Sequence, residues 1–522
     1  MKKLVDFLGK AVCILSGLFL TYLTYNTMHY TFVSDFRNED VVTYEAPDSR
    51  LQSLLLIVAA AAVFYIISKI IFLGAKNQKS RYQRVVIFLI TDCVIVAVSM
   101  FAYVTKAYIE PYWDQAQVYN DALSFVNGDY SDMANTYLHK FPQQFGLILM
   151  EMPFLKFWDH FSIFQDLNVF FILAIIILSF FLCDELFHNE TADFFAIVAT
   201  TLFFPLNIYV TFIYGDLPSI VGCLFIALMI IKWMKQNKID YIFWAILVAC
   251  VSVLVRENTL IFLIACAISI ILFMLLRKKP LMLLAAGLLI FLPLVTKSAV
   301  LLHFEHKGGE KMNNPIPSVG WIAMGLQGDP YDKTGVGYYN GYNEATWWYQ
   351  GTDTKVVSEY VKNDIKERVE YFKENPRFSY DFFRYKVLEQ WIEPTFDSLY
   401  MTVTNYETAG ELAVKFFSGD GPQKVSDFMN KYLTVAYFFA LLYVVFSIRH
   451  DNTPMNVLLM IAFIGGFLFS LMWEAKGRYC MPYFVFLTIY SAGGVAKMAD
   501  LINLLFKKLF GHGKAGKNGE SR

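Results

Sequence analysis

Apolar runs of about 20 residues, the length that crosses a bilayer core as a helix, alternate with short polar connections along most of this chain. Twelve runs qualify, with cores near residues 8–25, 51–73, 85–104, 167–186, 192–213, 219–234, 241–255, 260–276, 281–302, 433–448, 455–473 and 481–504. The first follows Lys2 and Lys3 but has no small-residue cleavage pattern after it, so it is expected to stay as a span and not be removed as a signal peptide. A thirteenth apolar stretch, 145–158, is too short to span comfortably and is expected to lie along the interface as an aromatic-rich helix. Just before it, Ala116, Tyr119, Leu123 and Val126 recur at helical spacing and stop at Asn127-Gly128, a turn signal.

Lys and Arg in short loops orient such a chain, because positive charge is retained in the cytoplasm. Clusters occur at Lys2 and Lys3, at Lys76 to Arg84, at Lys232 to Lys238, at Arg277 to Lys279, at Arg449, and at Lys507 to Lys517. Twelve spans put all of them on one side; the 184–190 connection falls there too without a basic residue. The other side then holds the 26–50 loop, the 106–166 loop, short turns around Asp216, Arg256 and Lys476, and a large region, 303–431. In that region, Gly335 to Asn343 reads as ordered loop. Val357, Val361, Ile365 and Val369 mark one helix ending near Pro376, and Phe383, Val387 and Trp391 mark another stopped at Pro394.

The expected fold is an all-α polytopic membrane protein. It has about 12 transmembrane helices, interfacial helices in the second external loop and a mostly helical external subdomain. The divisions are an N-terminal transmembrane hairpin (1–84), a transmembrane core (85–302) carrying the 106–166 loop, the external subdomain (303–431), C-terminal spans (432–510) and a flexible basic tail (511–522). Composition agrees: 56% hydrophobic and only 17% charged residues exclude one soluble domain. A net charge of −1 gives no basis for a nucleic-acid partner. The seven cysteines lie in or beside apolar runs, with no CxxC spacing for zinc and no disulfide framework.

Chemistry is sought where polar groups meet the external boundary. Asp114, in Tyr112-Trp113-Asp114-Gln115-Ala116, opens the amphipathic stretch between aromatic neighbours; it either caps that helix or acts on a lipid-borne substrate. Asp216, in Tyr214-Gly215-Asp216-Leu217-Pro218, either caps the next span or joins Asp114 on the same face. Basic groups on that face are Lys140, Arg256, Lys386, Lys476 and Arg478. Arg478 at a span's end can clamp a phosphate through two parallel hydrogen bonds, snorkel to headgroups, or pair with Glu474. Arg256-Glu257 reads as a local ion pair. Asp92, inside the third span, reads as an interhelical hydrogen bonder. The Trp347-Trp348-Tyr349 cluster either stacks on a sugar or dips into the interface.

These residues resemble a family. Tyr112 to Ala116, followed by Gly128-Asp129-Tyr130, is similar to the first external loop of the GT-C superfamily of polyprenyl-phosphate-sugar glycosyltransferases. The branch is that of the protein O-mannosyltransferases and lipid A aminoarabinose transferases. Phe141-Pro142-Gln143-Gln144-Phe145 stands at that branch's Pro-Pro-Leu-Tyr-Tyr segment, Tyr214-Gly215-Asp216 at its second acidic loop, and Glu474 to Tyr479 at its Arg-Tyr element. Gln115 replaces the family's Glu, which bears on any metal site or second carboxylate there; Gln143 replaces a Pro, and two extra spans precede the acidic loop. Residues 315–328 and 386–394 also resemble uncharacterised multispanning proteins of Gram-positive bacteria.

The resemblance implies an inverting transfer of a sugar from a polyprenyl-phosphate donor to an acceptor hydroxyl of a cell-envelope glycopolymer, glycolipid or protein, at the outer face of a bacterial plasma membrane with both termini cytoplasmic. Asp114 would be general base and Asp216 an acceptor-positioning or metal-associated acid. Substrate contacts would come from Trp113, Gln115, Lys140, Lys476, Arg478 and Tyr479, and a divalent cation is admitted. Rivals are a lipid-linked polysaccharide polymerase or ligase, which should lean on external arginines more than on Asp114, and a transporter or flippase, which should show internal repeats and helices broken near the midplane.

Overall fold

The computed structural model describes residues 1–35, 42–134, 136–332, 335–403 and 409–510; the basic tail lies outside them. It is almost entirely helical. Ten helices are long and apolar enough to cross a membrane, eleven if one bent pair is counted as a single span. That pair, Glu190–Thr201 and Phe204–Thr211, covers the 192–213 run and bends by 47°. Pro205 accounts for the bend. Its ring cannot donate to the Thr201 carbonyl four residues earlier, so the ladder stops there; the chain leaves the helical region at Phe203 and Pro205 sits in the first turn of the next helix. The remaining run forms Ile239–Val255, a helix of 17 residues, or roughly 25 Å against a core of about 30 Å.

Water cannot drive helices together inside lipid, so packing and a few polar pairs must do so. Glycines let backbones touch: a Cβ on Gly494 would stand 1.9 Å from the Phe439 carbonyl oxygen, and one on Gly222 would stand 2.0 Å from Ser252 Oγ. The expected interhelical role of Asp92 is present, since Thr201 Oγ1 donates to Asp92 Oδ2 at 2.7 Å. The layering is uneven. The apolar windows of Arg50–Ile70 and Gln78–Ala107 are only 11% and 17% buried, whereas those of the helices beginning at Asp216 and Gly477 are 78% buried and form the centre.

Ion pairs identify the ends of the bundle. Lys235 meets Glu185 at 3.0 Å and Arg81 meets Glu190 at 3.8 Å, so the 184–190 connection, which lacks basic residues, shares an end with two of the basic clusters.

Two features differ from expectation. Residues 26–50 contain an antiparallel hairpin, Tyr30–Asp35 with Val42–Pro47, where only a loop was expected. The Trp113–Val126 helix buries Gln115, Val118, Asp121, Ala122 and Phe125, one position before the predicted apolar face, because the enclosed side includes two polar residues that hydropathy counts as solvent-facing. The 145–158 stretch forms a helix as expected, Phe145–Leu155, which packs against the Asp114 helix, Ile239–Val255 and Met282–Gly308, with Pro153, Lys156, Phe157 and Trp158 exposed. The two predicted helices of the 303–431 region are Thr354–Glu374 and Pro376–Trp391, and the second buries its C-terminal half against Pro454–Met472 and the terminal helix Gly477–Phe510.

Gly494→Ala is expected to cost about 1–3 kcal/mol of overpacking, read as a lower unfolding temperature in detergent. Gly287→Ala, with nothing within 4 Å of the added methyl, should leave it unchanged.

Candidate functional site

Three chain turns converge at the head of the two central helices. Asp216 is the first residue of its helix, with Gly215 as the cap, so its carboxylate is not spent on capping. It is 4% exposed and meets Arg256 at 3.0 Å and Arg478 at 3.9 Å. Glycine permits this approach: a Cβ on Gly215 would lie 2.3 Å from the Val255 carbonyl oxygen. Arg256 does not pair locally with Glu257, as the sequence led us to expect; Glu257 instead meets Lys297 at 2.5 Å. The guanidiniums share an aromatic wall. Arg256 lies 5.4 Å from the ring centres of both Tyr214 and Tyr479, and Arg478 lies 5.6 Å and 5.4 Å from the same two rings.

Two guanidiniums share the Asp216 carboxylate, and the only further acid touching Arg478 among the described residues is Asp397, through the backbone amide. Arg478 is the second residue of its helix, where the macrodipole is positive, so its position favours an anion nearby. Its buried Nε finds no hydrogen-bond acceptor among the described residues. Between Asp216, Arg256, Thr259, Arg478 and Tyr483 the enclosed space is about 20 Å³, room for roughly one water.

Asp114 reaches this group through Tyr214. It is exposed, second in its helix, and makes no cap. Burial raises the Tyr214 phenol far above its ordinary range, and the negative charge of Asp114 adds to that rise, placing the carboxylate within electrostatic reach of the aromatic wall. Gln115 Oε1 accepts from the Ile213 amide at 2.9 Å, tying the two acidic turns together; that oxygen is structural. Trp113 has φ +50, a strained value for a bulky residue, and its ring sits between Tyr112 and Tyr400 at 5.2 and 5.5 Å. Gln144 donates to the Tyr214 hydroxyl, which brings in the Pro142–Gln144 turn.

The other predicted cations are already matched. Lys476 pairs with Glu474 at 3.0 Å, and Glu474 also accepts from Tyr479 at 2.9 Å, so Glu474 is not the partner of Arg478. Lys140 pairs with Glu344, which also accepts from Tyr339 at 2.6 Å. Lys386 is fully buried and donates to the Gly325 carbonyl; burial brings its amine down to about 7. Trp347 is buried with Nε1 donating to Asn314, while Trp348 and Tyr349 are exposed.

Sequence reasoning missed the turn that holds Arg478. Phe396 and Asp397 have φ +49 and +59, two consecutive non-glycine residues in the left-handed region. Tyr209 donates to the Phe396 carbonyl at 2.9 Å, and Tyr338 donates to Asp397 Oδ1 at 2.7 Å. The other Asp397 oxygen lies 3.4 Å from the Arg478 amide, supplying an acceptor for an early donor of the terminal helix. The only sequence signal was Pro394 stopping the preceding helix.

Among the described residues no group of three or more His, Cys, Asp or Glu side chains could hold a metal ion. A divalent cation at Asp216 would also have to compete with two guanidiniums. No family model matches this chain, and no curated protein matches it with significance.

Asp216→Ala leaves two largely buried cations without their counter-charge, which should cost about 3–5 kcal/mol. Asp114→Ala, at an exposed position, should stay within about 0.5 kcal/mol of wild type. Thermal unfolding of both variants in detergent checks the ranking.

Proposed function

We propose that the protein is a GT-C-type membrane glycosyltransferase. It moves a sugar from a polyprenyl-phosphate donor to an acceptor hydroxyl on the extracytoplasmic face of a bacterial plasma membrane. In this reading the bent pair and Ile239–Val255 complete twelve crossings, both termini are cytoplasmic, and the Asp114 end of the bundle faces out. The observation that carries the proposal is the exposed Asp114 carboxylate within electrostatic reach of Tyr214, the ring that both half-buried Arg256 and buried Arg478 face while they share the Asp216 carboxylate.

Asp114 takes the proton of the acceptor hydroxyl as its oxygen attacks the anomeric carbon. The bond from that carbon to the phosphate oxygen breaks, and its electron pair leaves with the lipid phosphate. Attack opposite the leaving group inverts the anomeric centre. Arg478 and Arg256 stabilise the charge that grows on the phosphate, a role in which preorganised cations act most strongly in the transition state. Asp216 orients both guanidiniums. Lys476 and Lys140 are secondary ligands, because the phosphate must compete with Glu474 and Glu344 for them. The 3.9 Å separation of Arg478 from Asp216 is too long for a hydrogen bond, so the guanidinium is available to a phosphate once the water-sized space beside it widens. The polyprenyl chain remains in lipid beside the bundle.

One observation favours a second reading. Two arginines at the centre, with Asp114 at the edge, also suit a lipid-linked polysaccharide polymerase or ligase that depends on external arginines. Transfer from a defined polyprenyl-phosphate-sugar by purified protein separates the two. Asp114→Asn should lower kcat about 10²- to 10⁴-fold with unfolding unchanged; undiminished transfer would remove the base mechanism and leave the arginine-dependent reading.

A further inference from the structure

A second cavity, of about 190 Å³, lies between the helix Phe145–Leu155, the helices Ile239–Val255 and Met282–Gly308, and the 315–318 segment. An apolar cavity of about 150 Å³ holds benzene, and drug-sized ligands need about 300 Å³ or more, so this one has the size of a single substituted six-membered ring. Its lining is mixed. Leu254 and Val300 supply aliphatic surface, while Gln143, Ser318, Glu257 and Lys297 supply donors and acceptors. Glu257 and Lys297 pair at 2.5 Å with side chains 44% and 35% exposed, so the rim is solvated and close to neutral. That combination disfavours a lipid chain, which needs no polar partners, and a free phosphate, which would have to displace Glu257 from Lys297.

The cavity adjoins the site just described. Gln143 precedes Gln144, which holds the Tyr214 hydroxyl; Leu254 and Glu257 bracket Arg256; and the Ile316 amide of the far wall donates to the Lys140 carbonyl at 3.3 Å. The wall is rigid, since a Cβ on Gly146 would stand 2.2 Å from the Leu254 carbonyl oxygen.

We propose that this cavity seats one neutral pyranose ring of the acceptor, so that the acceptor is a glycan hydroxyl and not a protein side chain. The inference rests on the transferase reading for its meaning as an acceptor subsite, but its test does not require transfer. In the full-length protein in detergent, Ser318→Cys places a thiol at an exposed point of the lining, and its alkylation by a charged maleimide is followed against the wild-type background. Methyl glycosides of glucose, galactose, mannose and N-acetylglucosamine are the probes. At least one should slow alkylation several-fold, and Val300→Trp, which fills the cavity, should abolish that protection. Glu257→Gln, which adds no bulk, should weaken it. No protection by any glycoside, or protection undiminished by both changes, overturns the proposal. Protection in a protein that transfers no sugar would keep the sugar site and remove the catalytic reading instead.

Discussion

A single buried carboxylate shared unequally by two guanidiniums is the constraint around which the rest of this structure is arranged. Asp216, Arg256 and Arg478 come from turns far apart in sequence, and each would be costly to enclose alone. Together they set two guanidiniums around the Asp216 carboxylate and against the faces of Tyr214 and Tyr479. The protein thereby keeps both guanidiniums largely out of water. The two most enclosed helices both begin at this point, which is why the centre is rigid while the lipid-facing helices around it are loosely covered.

Holding Arg478 in place falls largely to the 303–431 region. Trp321 stacks on Trp473 at 6.0 Å, the Gly337 carbonyl accepts from the Ala475 amide at 2.7 Å, and Asp397 meets the Arg478 amide. The left-handed conformation at Phe396 and Asp397 persists because buried neighbours determine it: Phe396 is fully buried, and a Cβ on Gly477 would lie 3.0 Å from its Cα. The region thus clamps the terminal turn.

Most of the architecture was legible because hydropathy is a local signal. Eleven of the twelve apolar runs became single helices and the 192–213 run a bent pair, and both helices of the large loop stand where Val361 and Trp391 pointed. Asp92 was readable because an acid inside a span has few options other than a neighbouring helix. Partnerships were not legible. Arg256 beside Glu257 invited a local pair, yet the chain reverses there and carries the guanidinium to Asp216. Lys140 and Lys476 looked free until the 335–344 loop and Glu474 met them. The buried face of the Asp114 helix was displaced by one residue because Gln115 and Asp121 are polar yet enclosed, Gln115 bonding to Ile213 and Asp121 to Gln117.

The central claim is that the cationic pair at Asp216 receives the phosphate of a lipid carrier. Equilibrium binding of a radiolabelled polyprenyl phosphate, without any sugar, to the purified protein tests it most directly, comparing wild type with Arg478→Gln. Loss of one charge-assisted contact to phosphate, about 1.5–3 kcal/mol, predicts roughly 10- to 100-fold weaker binding. Equal affinity in a folded variant would contradict the account.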